Sequence, residues 1–263
     1  MQVMGVVNVT PDSFSDGGRF LDHDAALAHA RALVAQGAHW IDVGGESTRP
    51  RADPVPEAEE LRRVLPVVEA LAGEGVAVSI DTRKAAVAEA AVAAGARMVN
   101  DVSAGLGAVA AATGAAFVAM HMQGDPTTMQ QDPHYDDVVA EVRDYLVARA
   151  DAARAAGVAE VWIDPGIGFG KALDHNLDLL ANLDVLVATG YPVVVGTSRK
   201  AMLGQLAARA TPGGGVAPVT DRLEGSLATA VWARLRGAAM VRVHDVGATV
   251  KALGAVEVAA PAA

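Results

Sequence analysis

The sequence predicts an α/β protein, a (β/α)₈ TIM barrel formed by a single domain over residues 1–263. Short runs rich in Val and Ile alternate about eight times with Ala-rich segments of helical composition. The apolar runs are continuous rather than alternating, as expected of parallel strands that are covered on both faces. A strand–helix unit repeated eight times within about 250 residues is typical of this barrel.

Eight strands are predicted because each apolar run is short and ends in a cluster of Gly, Asp, Asn or Thr. In chain order they cover residues 3–9, 40–43, 76–80, 98–99, 117–122, 161–163, 193–195 and 238–243.

Six helices are predicted between the strands, at residues 24–36, 56–72, 84–94, 136–156, 173–183 and 223–236. Glycine stands where a helix C-cap would fall at Gly37, Gly95, Gly157 and Gly237. A doubly wound open sheet is the alternative fold. It is disfavoured because no strand is followed by a complete glycine-rich dinucleotide fingerprint and no linker divides the chain.

The composition excludes several classes of protein. There are 21 Lys and Arg against 31 Asp and Glu, so the net charge is −10, and an acidic chain without a basic tract binds nucleic acid poorly. The chain has no cysteine, which excludes a thiolate metal site and a thiol nucleophile. No apolar run approaches the ~18 residues of a membrane span, and no basic region precedes a short apolar stretch at the N-terminus. We therefore expect a soluble cytoplasmic protein that binds neither nucleic acid nor membrane.

Polar residues follow the predicted strands, at the ends where the active face of such a barrel lies. In chain order they are Asn8, residues 44–50, Asp81, residues 100–101, His121, residues 164–166, residues 196–200 and residues 242–245. Each alone has a structural explanation, such as a turn or a helix cap. Together they place carboxylate and amide groups opposite a Lys, an Arg and a His, which predicts a site for a polar heterocycle and an anion.

Several of these segments carry longer motifs. The chain has MGVVNVTPDSFSDGG at residues 4–18 and DVGGESTRP at residues 42–50. Shorter motifs stand at residues 80–82, 99–103, 120–124, 164–171, 196–200 and 241–246. In this order, over essentially the whole chain, they resemble the dihydropteroate synthase family. The resemblance implies a folate-pathway reaction, in which 6-hydroxymethyl-7,8-dihydropterin diphosphate and para-aminobenzoate give 7,8-dihydropteroate and pyrophosphate with Mg²⁺.

The resemblance also implies the residues that bind the pterin substrate. Asp164 is the anchor, since a carboxylate deep in the pocket can accept two N–H bonds from the amino-pyrimidinone edge. The implied contacts of the pterin diphosphate are Thr48, Asp81, Asn100, Met120, Asp164, Phe169, Lys200, Arg242 and His244.

The same resemblance implies the residues that bind the diphosphate group and the metal. Arg242 and His244 lie two apart on one strand, so their side chains project from the same face, and Asn8 is the implied Mg²⁺ ligand beside the diphosphate. Loss of diphosphate leaves a cation that the dihydropterin delocalises, which makes a dissociative, SN1-like path easy. Asp16 is implied to stabilise this cation, and the implied catalytic residues are Asp16, Lys200, Arg242 and His244.

The para-aminobenzoate site is implied at Phe14, Arg49, Pro50 and Lys200, with Ser198 or Arg199 supporting that end. Family members commonly carry Ser directly after this Lys, where the present chain has Ala201, so the hydroxyl contact to the aminobenzoate carboxylate is missing. The resemblance also implies a homodimer.

Three other interpretations stay open at this point. A pterin-binding methyltransferase domain on the same barrel would share the acidic pterin site. Its reaction does not require the loop of residues 12–18 or the pair Arg242 and His244, so these features discriminate between the two interpretations. A metal-dependent barrel hydrolase usually needs a His-x-His on the first strand, where this chain has Asn8-Val9-Thr10. A non-enzymatic binding module is the third.

Overall fold

The computed structural model of the protein describes residues 1–10, 23–47, 52–210 and 215–259. Within these ranges eight strands form one parallel sheet. The strands are β1 (Gln2–Asn8), β2 (Trp40–Gly44), β3 (Val78–Asp81), β4 (Met98–Asp101), β5 (Ala116–Met120), β6 (Val161–Asp164), β7 (Val194–Val195) and β8 (Met240–Val243).

The sheet closes on itself. The strand order is β6-β5-β4-β3-β2-β1-β8-β7, so the first and last strands are neighbours, with Gly5 opposite Val243. A parallel bridge between Ile163 and Val193 joins β6 to β7, and the Ile163 N–H donates to the Pro192 carbonyl at 3.0 Å. Because an open doubly wound sheet would leave two free edges, this closure confirms the predicted (β/α)₈ barrel.

Helices alternate with the strands on the outside of the barrel. They are α1 (His23–Ala35), α2 (Glu57–Gly73), α3 (Ala85–Ala93), α4 (Gly107–Thr113), α5 (Val138–Ala155), α6 (Leu173–Ala181), α7 (Leu183–Val187), α8 (Ala201–Ala210), α9 (Leu223–Leu235) and α10 (Val246–Ala259). None of these helices combines the length and the apolar character that a membrane span requires.

The helices differ from the prediction in two ways. The predicted helix at residues 173–183 ends at Ala181, because Asn182 has φ −113° and ψ 32° and donates from Nδ2 to the Asp178 carbonyl at 2.9 Å. The short helix α7 that follows lies almost wholly beyond the predicted segment. The helices α4, α8 and α10 are absent from the prediction. The segments of α4 and α10 are rich in Ala and Gly and show no clear apolar stripe, so helix formation there depends on packing against the barrel. The segment of α8 does carry an apolar face, with Met202 and Leu203 buried and Leu206 packed against the core, and the prediction overlooked it.

Alternating side chains on the strands separate two apolar cores. Outward-facing residues such as Ile41 and Val43 pack against the helices. A separate cluster fills the inside of the barrel and contains Met4, Met98, Val118, Trp162, Val194 and Met240. Two residues further along β4, β6 and β8, on the same inward face, are Asn100, Asp164 and Arg242. The inner cluster is therefore an apolar floor beneath a polar layer at the carboxyl ends of the strands.

Candidate active site

Arg242 of β8 lies between two acidic side chains inside the barrel. Its Nε donates to Asp42 Oδ2 of β2 at 2.6 Å, and its Nη2 donates to Asp81 Oδ2 of β3 at 2.7 Å. Asn100 of β4 donates from Nδ2 to the same Asp42 oxygen at 3.0 Å. The structure thus brings together Asp81, Asn100 and Arg242, which the sequence analysis assigned to one site.

The two carboxylates keep Arg242 charged. Desolvation by burial would lower the pKa of Arg242, but the charges of Asp42 and Asp81 outweigh it and raise that pKa. Burial raises the pKa of Asp81, Arg242 opposes that effect, and the nearby charge of Asp42 adds to it. One guanidinium is thus shared by two buried acids. Its Nη1 has no hydrogen-bond partner among the described residues, so it can contact a ligand.

Asp42 is a site residue that the sequence analysis missed. It lies inside the apolar strand β2 rather than at its end, and it is fully buried. Its Oδ1 has no hydrogen-bond partner within the described part of the chain. A signal was present, because a carboxylate within a continuous apolar run needs a buried cationic or hydrogen-bonding partner.

Asp164 ends β6 with one oxygen already occupied. Its Oδ1 accepts the Gly166 N–H at 2.7 Å, whereas Oδ2 accepts no hydrogen bond from the described residues. Burial raises the pKa of Asp164, and the charge of Lys200 opposes this rise. Gly166 has φ +63°, and a Cβ there would stand 1.9 Å from the His121 carbonyl oxygen, so only glycine fits. The turn therefore presents a buried carboxylate with one free acceptor oxygen.

Lys200 follows β7, and its side chain reaches the loop after β6. Its Nζ stands 4.6 Å from the centre of the Phe169 ring and donates to the Ile167 carbonyl. Burial lowers the pKa of Lys200 to about 8, while the charge of Asp164 acts in the opposite direction. A Cβ placed at Gly196 would lie 3.8 Å from Lys200 Nζ, so this glycine leaves room for the ammonium group.

His244 is held by a serine. Ser198 Oγ lies 3.1 Å from His244 Nδ1 and accepts the His244 backbone N–H at 3.1 Å. Arg199 instead forms an ion pair with Asp245, with contacts of 2.9 and 2.5 Å. Of the two residues offered for the aminobenzoate end, Ser198 thus contacts the histidine and Arg199 contacts an acid of the next loop.

Asn8 ends β1, the strand between β2 and β8, and is half-buried. Its amide oxygen is the kind of hard donor that Mg²⁺ prefers. The described ranges contain no group of three His, Asp or Glu side chains that could hold a metal. An ion here would therefore take most of its ligands from substrate phosphate and water, which fits the usual coordination of Mg²⁺.

The remaining predicted residues fall into two groups. Met120, at the end of β5, lies opposite Asp164 in the strand register and is buried, so its side chain shares the inward face. The others lie outside the described residues, and they are Phe14, Asp16, Thr48, Arg49 and Pro50.

Comparison with known proteins gives a consistent result. The profile of the family described as "Pterin binding enzyme" matches residues 4–244. The dihydropteroate synthase of Mycobacterium leprae (strain TN) is 50% identical over 261 residues, which is 96% of this chain and 91% of the relative. The structure is similar to that of Xanthomonas albilineans dihydropteroate synthase with 4-aminobenzoic acid, with a TM-score of 0.90, 48% identity and coverage of 99% and 94% of the two chains. The same enzyme in complex with 7,8-dihydropteroate gives a TM-score of 0.86 at 45% identity, again covering 99% of this chain and 94% of the other.

Proposed function

The chain belongs to the dihydropteroate synthase family of pterin-binding enzymes, and we propose that it catalyses the reaction of that family. It joins 6-hydroxymethyl-7,8-dihydropterin diphosphate to para-aminobenzoate and releases pyrophosphate. The observation that carries the proposal is the convergence of Asp81, Asn100, Asp164, Lys200 and Arg242 at one end of the barrel. Relatives with this name match the chain over nearly its full length.

The pterin ring binds with its amino-pyrimidinone edge toward Asp164. The ring offers N–H donors along this edge, and the free Oδ2 of Asp164 accepts them in charge-assisted bonds. Asn100 and Asp81 supply further donors and acceptors, and Lys200 donates to the ring carbonyl or a ring nitrogen. Met120 and Phe169 pack against the faces of the ring.

The diphosphate lies at the barrel mouth. Arg242 directs its unoccupied Nη1 to the phosphate oxygens, and His244 adds an N–H donor. Because Ser198 Oγ accepts the His244 backbone N–H, its own hydrogen can be donated to Nδ1, which leaves the neutral ring with its proton on Nε2. Thr48 adds a hydroxyl contact to the pterin substrate.

Magnesium is the proposed metal, with Asn8 as its protein ligand. When bound, the ion supplies charge that stabilises the departing diphosphate. The arginine and histidine described above stabilise the same developing negative charge.

The bond that breaks is the C–O bond between the pterin methylene and the diphosphate, and the electron pair leaves with the diphosphate. The dihydropterin delocalises the resulting cation, and Asp16 stabilises it. The aromatic amine of para-aminobenzoate is nucleophilic when neutral, so it attacks the methylene carbon without a strong general base. The new C–N bond leaves a positive nitrogen, which releases its proton to water. Phe14, Arg49, Pro50 and the stem of Lys200 form the aminobenzoate site.

The test is pyrophosphate release from purified protein supplied with both substrates and Mg²⁺. We expect release that depends on para-aminobenzoate and that is lost in Asp164→Asn, while Asp174→Asn, at an exposed surface carboxylate, behaves as the native chain. Release no faster than the enzyme-free background, from protein with a cooperative thermal transition, would refute the proposal.

We also propose a homodimer, with residues 1–263 forming one domain in each subunit. Trp232 and Leu235, three residues apart on α9, are exposed large apolar side chains, and exposed apolar surface is typical of an interaction surface. Light scattering tests this, and Leu235→Glu should shift the mass toward the monomer. A monomeric native chain would contradict the proposal. The cytoplasmic location stays a prediction.

A further inference from the structure

Lys171 is a buried lysine that the reaction described above does not use. It follows the loop after β6, and only 3% of its surface is exposed. Its Nζ lies 2.9 Å from His121 Nδ1, 3.0 Å from the Phe169 carbonyl oxygen and 3.2 Å from those of His121 and Gly166. Its three N–H donors are thus shared among four acceptors. Among the described residues no carboxylate forms an ion pair with it. Burial of an ammonium group costs free energy unless hydrogen bonds or an opposite charge compensate for the lost water. Here the compensation comes from hydrogen bonds to the loop after β6 and to His121.

The groups that accept these bonds belong to the turn that shapes the candidate pterin pocket. The Gly166 peptide unit supplies the N–H that holds Asp164 Oδ1. Phe169 carries the ring beneath Lys200 Nζ. Between them lies the Ile167 carbonyl, which accepts from Lys200. Lys171 therefore donates to carbonyl groups on both sides of the Ile167 carbonyl that Lys200 contacts.

Other residues hold the same loop elsewhere. The Gly168 N–H donates to Asn176 Oδ1 at 2.6 Å, and Gln130 Nε2 donates to the Gly168 carbonyl at 2.8 Å. The Tyr135 hydroxyl donates to the Gly170 carbonyl at 2.7 Å. These bonds fix residues 168 and 170, whereas, within the described ranges, Lys171 is the side chain that joins residues 166 and 169 to His121 at the end of β5.

The electrostatics agree with a donor role for the lysine. Burial and the charge of Lys171 lower the pKa of His121 to about 3, so the histidine is neutral and its Nδ1 can accept. Burial lowers the pKa of Lys171 to about 7, and the charge of Asp164 opposes that effect. The side chain is therefore mainly an ammonium below about pH 7, and the binding measurements below are made in that range.

We propose that Lys171 is a positioning residue for pterin binding: its buried ammonium joins the loop of residues 165–170 to His121, so that Asp164, Phe169 and Lys200 form one binding surface. This inference rests on the proposed pterin substrate, but it concerns affinity rather than turnover. A test by binding therefore separates its failure from failure of the proposed reaction.

The absence of cysteine permits a charge-specific test. Lys171→Cys is alkylated in denaturant and refolded, with 2-bromoethylamine in one sample and 1-bromopropane in the other. In each case the thiolate forms a C–S bond and releases bromide. The first product ends in an ammonium at the lysine position, and the second is a neutral side chain of nearly the same length. Lys251→Cys, at an exposed position of α10, receives the same treatment as the matched control.

Calorimetry with 6-hydroxymethyl-7,8-dihydropterin diphosphate and Mg²⁺, without para-aminobenzoate, gives the affinity. We expect the propyl form to bind at least roughly tenfold more weakly than the native chain, because hydrogen bonds to a charged group are lost. The aminoethyl form should recover to within about threefold. Steady-state kinetics should show a raised KM for the pterin substrate, with the KM for para-aminobenzoate changed by less than about twofold.

Equal affinity of the propyl and aminoethyl forms would overturn the inference, and so would equal losses in both KM values. Lys171→Met also places a neutral side chain at this position, and it can be expressed directly, without alkylation and refolding. Native-like pterin affinity in this variant would also contradict the proposal. If the native chain binds the pterin diphosphate but releases no pyrophosphate, the proposed reaction is refuted. The calorimetric comparison of the propyl and aminoethyl forms would still test the role of Lys171, because it measures binding alone.

Discussion

Asp164→Asn is expected to weaken pterin binding while leaving the fold intact. In the native chain Oδ1 accepts the Gly166 N–H at 2.7 Å, and Oδ2 remains for the substrate. An asparagine can keep the Gly166 bond with its carbonyl oxygen. Its NH₂ group then faces the N–H donors of the pterin edge, so a charged acceptor is replaced by a donor.

The expected loss follows from these two changes. A hydrogen bond to a charged group contributes about 1.5–3 kcal/mol, and an opposed buried donor costs about 1–3 kcal/mol more. Together they amount to about 2.5–6 kcal/mol, or roughly two to four orders of magnitude in Kd.

The stability of the free protein should change in the opposite direction. The folded state raises the pKa of Asp164 through burial, so folding favours its protonated form. The ionised carboxylate therefore costs stability once the pH lies above its folded pKa, and this cost disappears as the pH falls below its unfolded value. Asparagine removes the cost, so the variant should be at least as stable as the native chain at neutral pH, with the difference shrinking in acid.

Calorimetry with the pterin diphosphate measures the first effect, and thermal unfolding at neutral and acidic pH measures the second. Asp174→Asn serves as the control, because that carboxylate is largely exposed. An unchanged Kd in Asp164→Asn would refute the anchor assignment. A large fall in Tm would refute the electrostatic reasoning.

Three further predictions concern the surrounding residues. Asp42→Asn should lower the free energy of unfolding by about 1–3 kcal/mol, because Arg242 loses a charged acceptor, and should slow pyrophosphate release; urea unfolding and steady-state kinetics measure the two effects. Gly166→Ala should destabilise the fold by about 2–5 kcal/mol in urea unfolding, since the new Cβ would meet the His121 carbonyl at positive φ. Because the pKa of Lys200 is lowered to about 8, pterin affinity should fall as the pH rises through this value and the ammonium loses its proton, as titrations across the alkaline range would show.

Each of these has its own control and contrary outcome. Asp184 forms a surface ion pair of 3.9 Å with Arg236, so Asp184→Asn should keep the free energy of unfolding within about 0.5 kcal/mol of the native value. An equally small change in Asp42→Asn would contradict the role of Asp42. A stable Gly166→Ala variant would show that the turn can relax. Lys200→Arg stays charged to beyond about pH 12, so an unchanged alkaline fall in that variant would assign the effect to another group.

The barrel and the ends of its strands were predictable because both depend on local patterns. Continuous apolar runs identify parallel strands wherever they occur, and in a barrel of parallel strands all carboxyl ends lie on one face. Asn8, Asp81, Asn100 and Asp164 could therefore be assigned to one site without knowledge of any contact. The helix α4 was not predictable in this way, because its seven residues are mostly Ala and Gly and show no apolar stripe.

The roles of the predicted site residues remain proposals, although the comparisons bear out the family and its reaction. Sequence motifs alone carried the resemblance. They assigned Arg242 to the diphosphate but gave no indication of the acids that hold it.

The amino-acid order by itself determined the succession of the eight strands, most of the helices between them, the face of the barrel on which the polar strand ends lie, and the family of the chain. Tertiary structure alone decided which inward side chains meet. Arg242 contacts Asp42 and Asp81 across 200 and 161 positions of the chain, and Lys171 reaches His121 across 50. The physical reason is that these pairs form only when the last strand closes against the first and the loop after β6 folds over the end of β5. Local sequence patterns specify where a strand ends, but not the partner that barrel closure places beside a side chain.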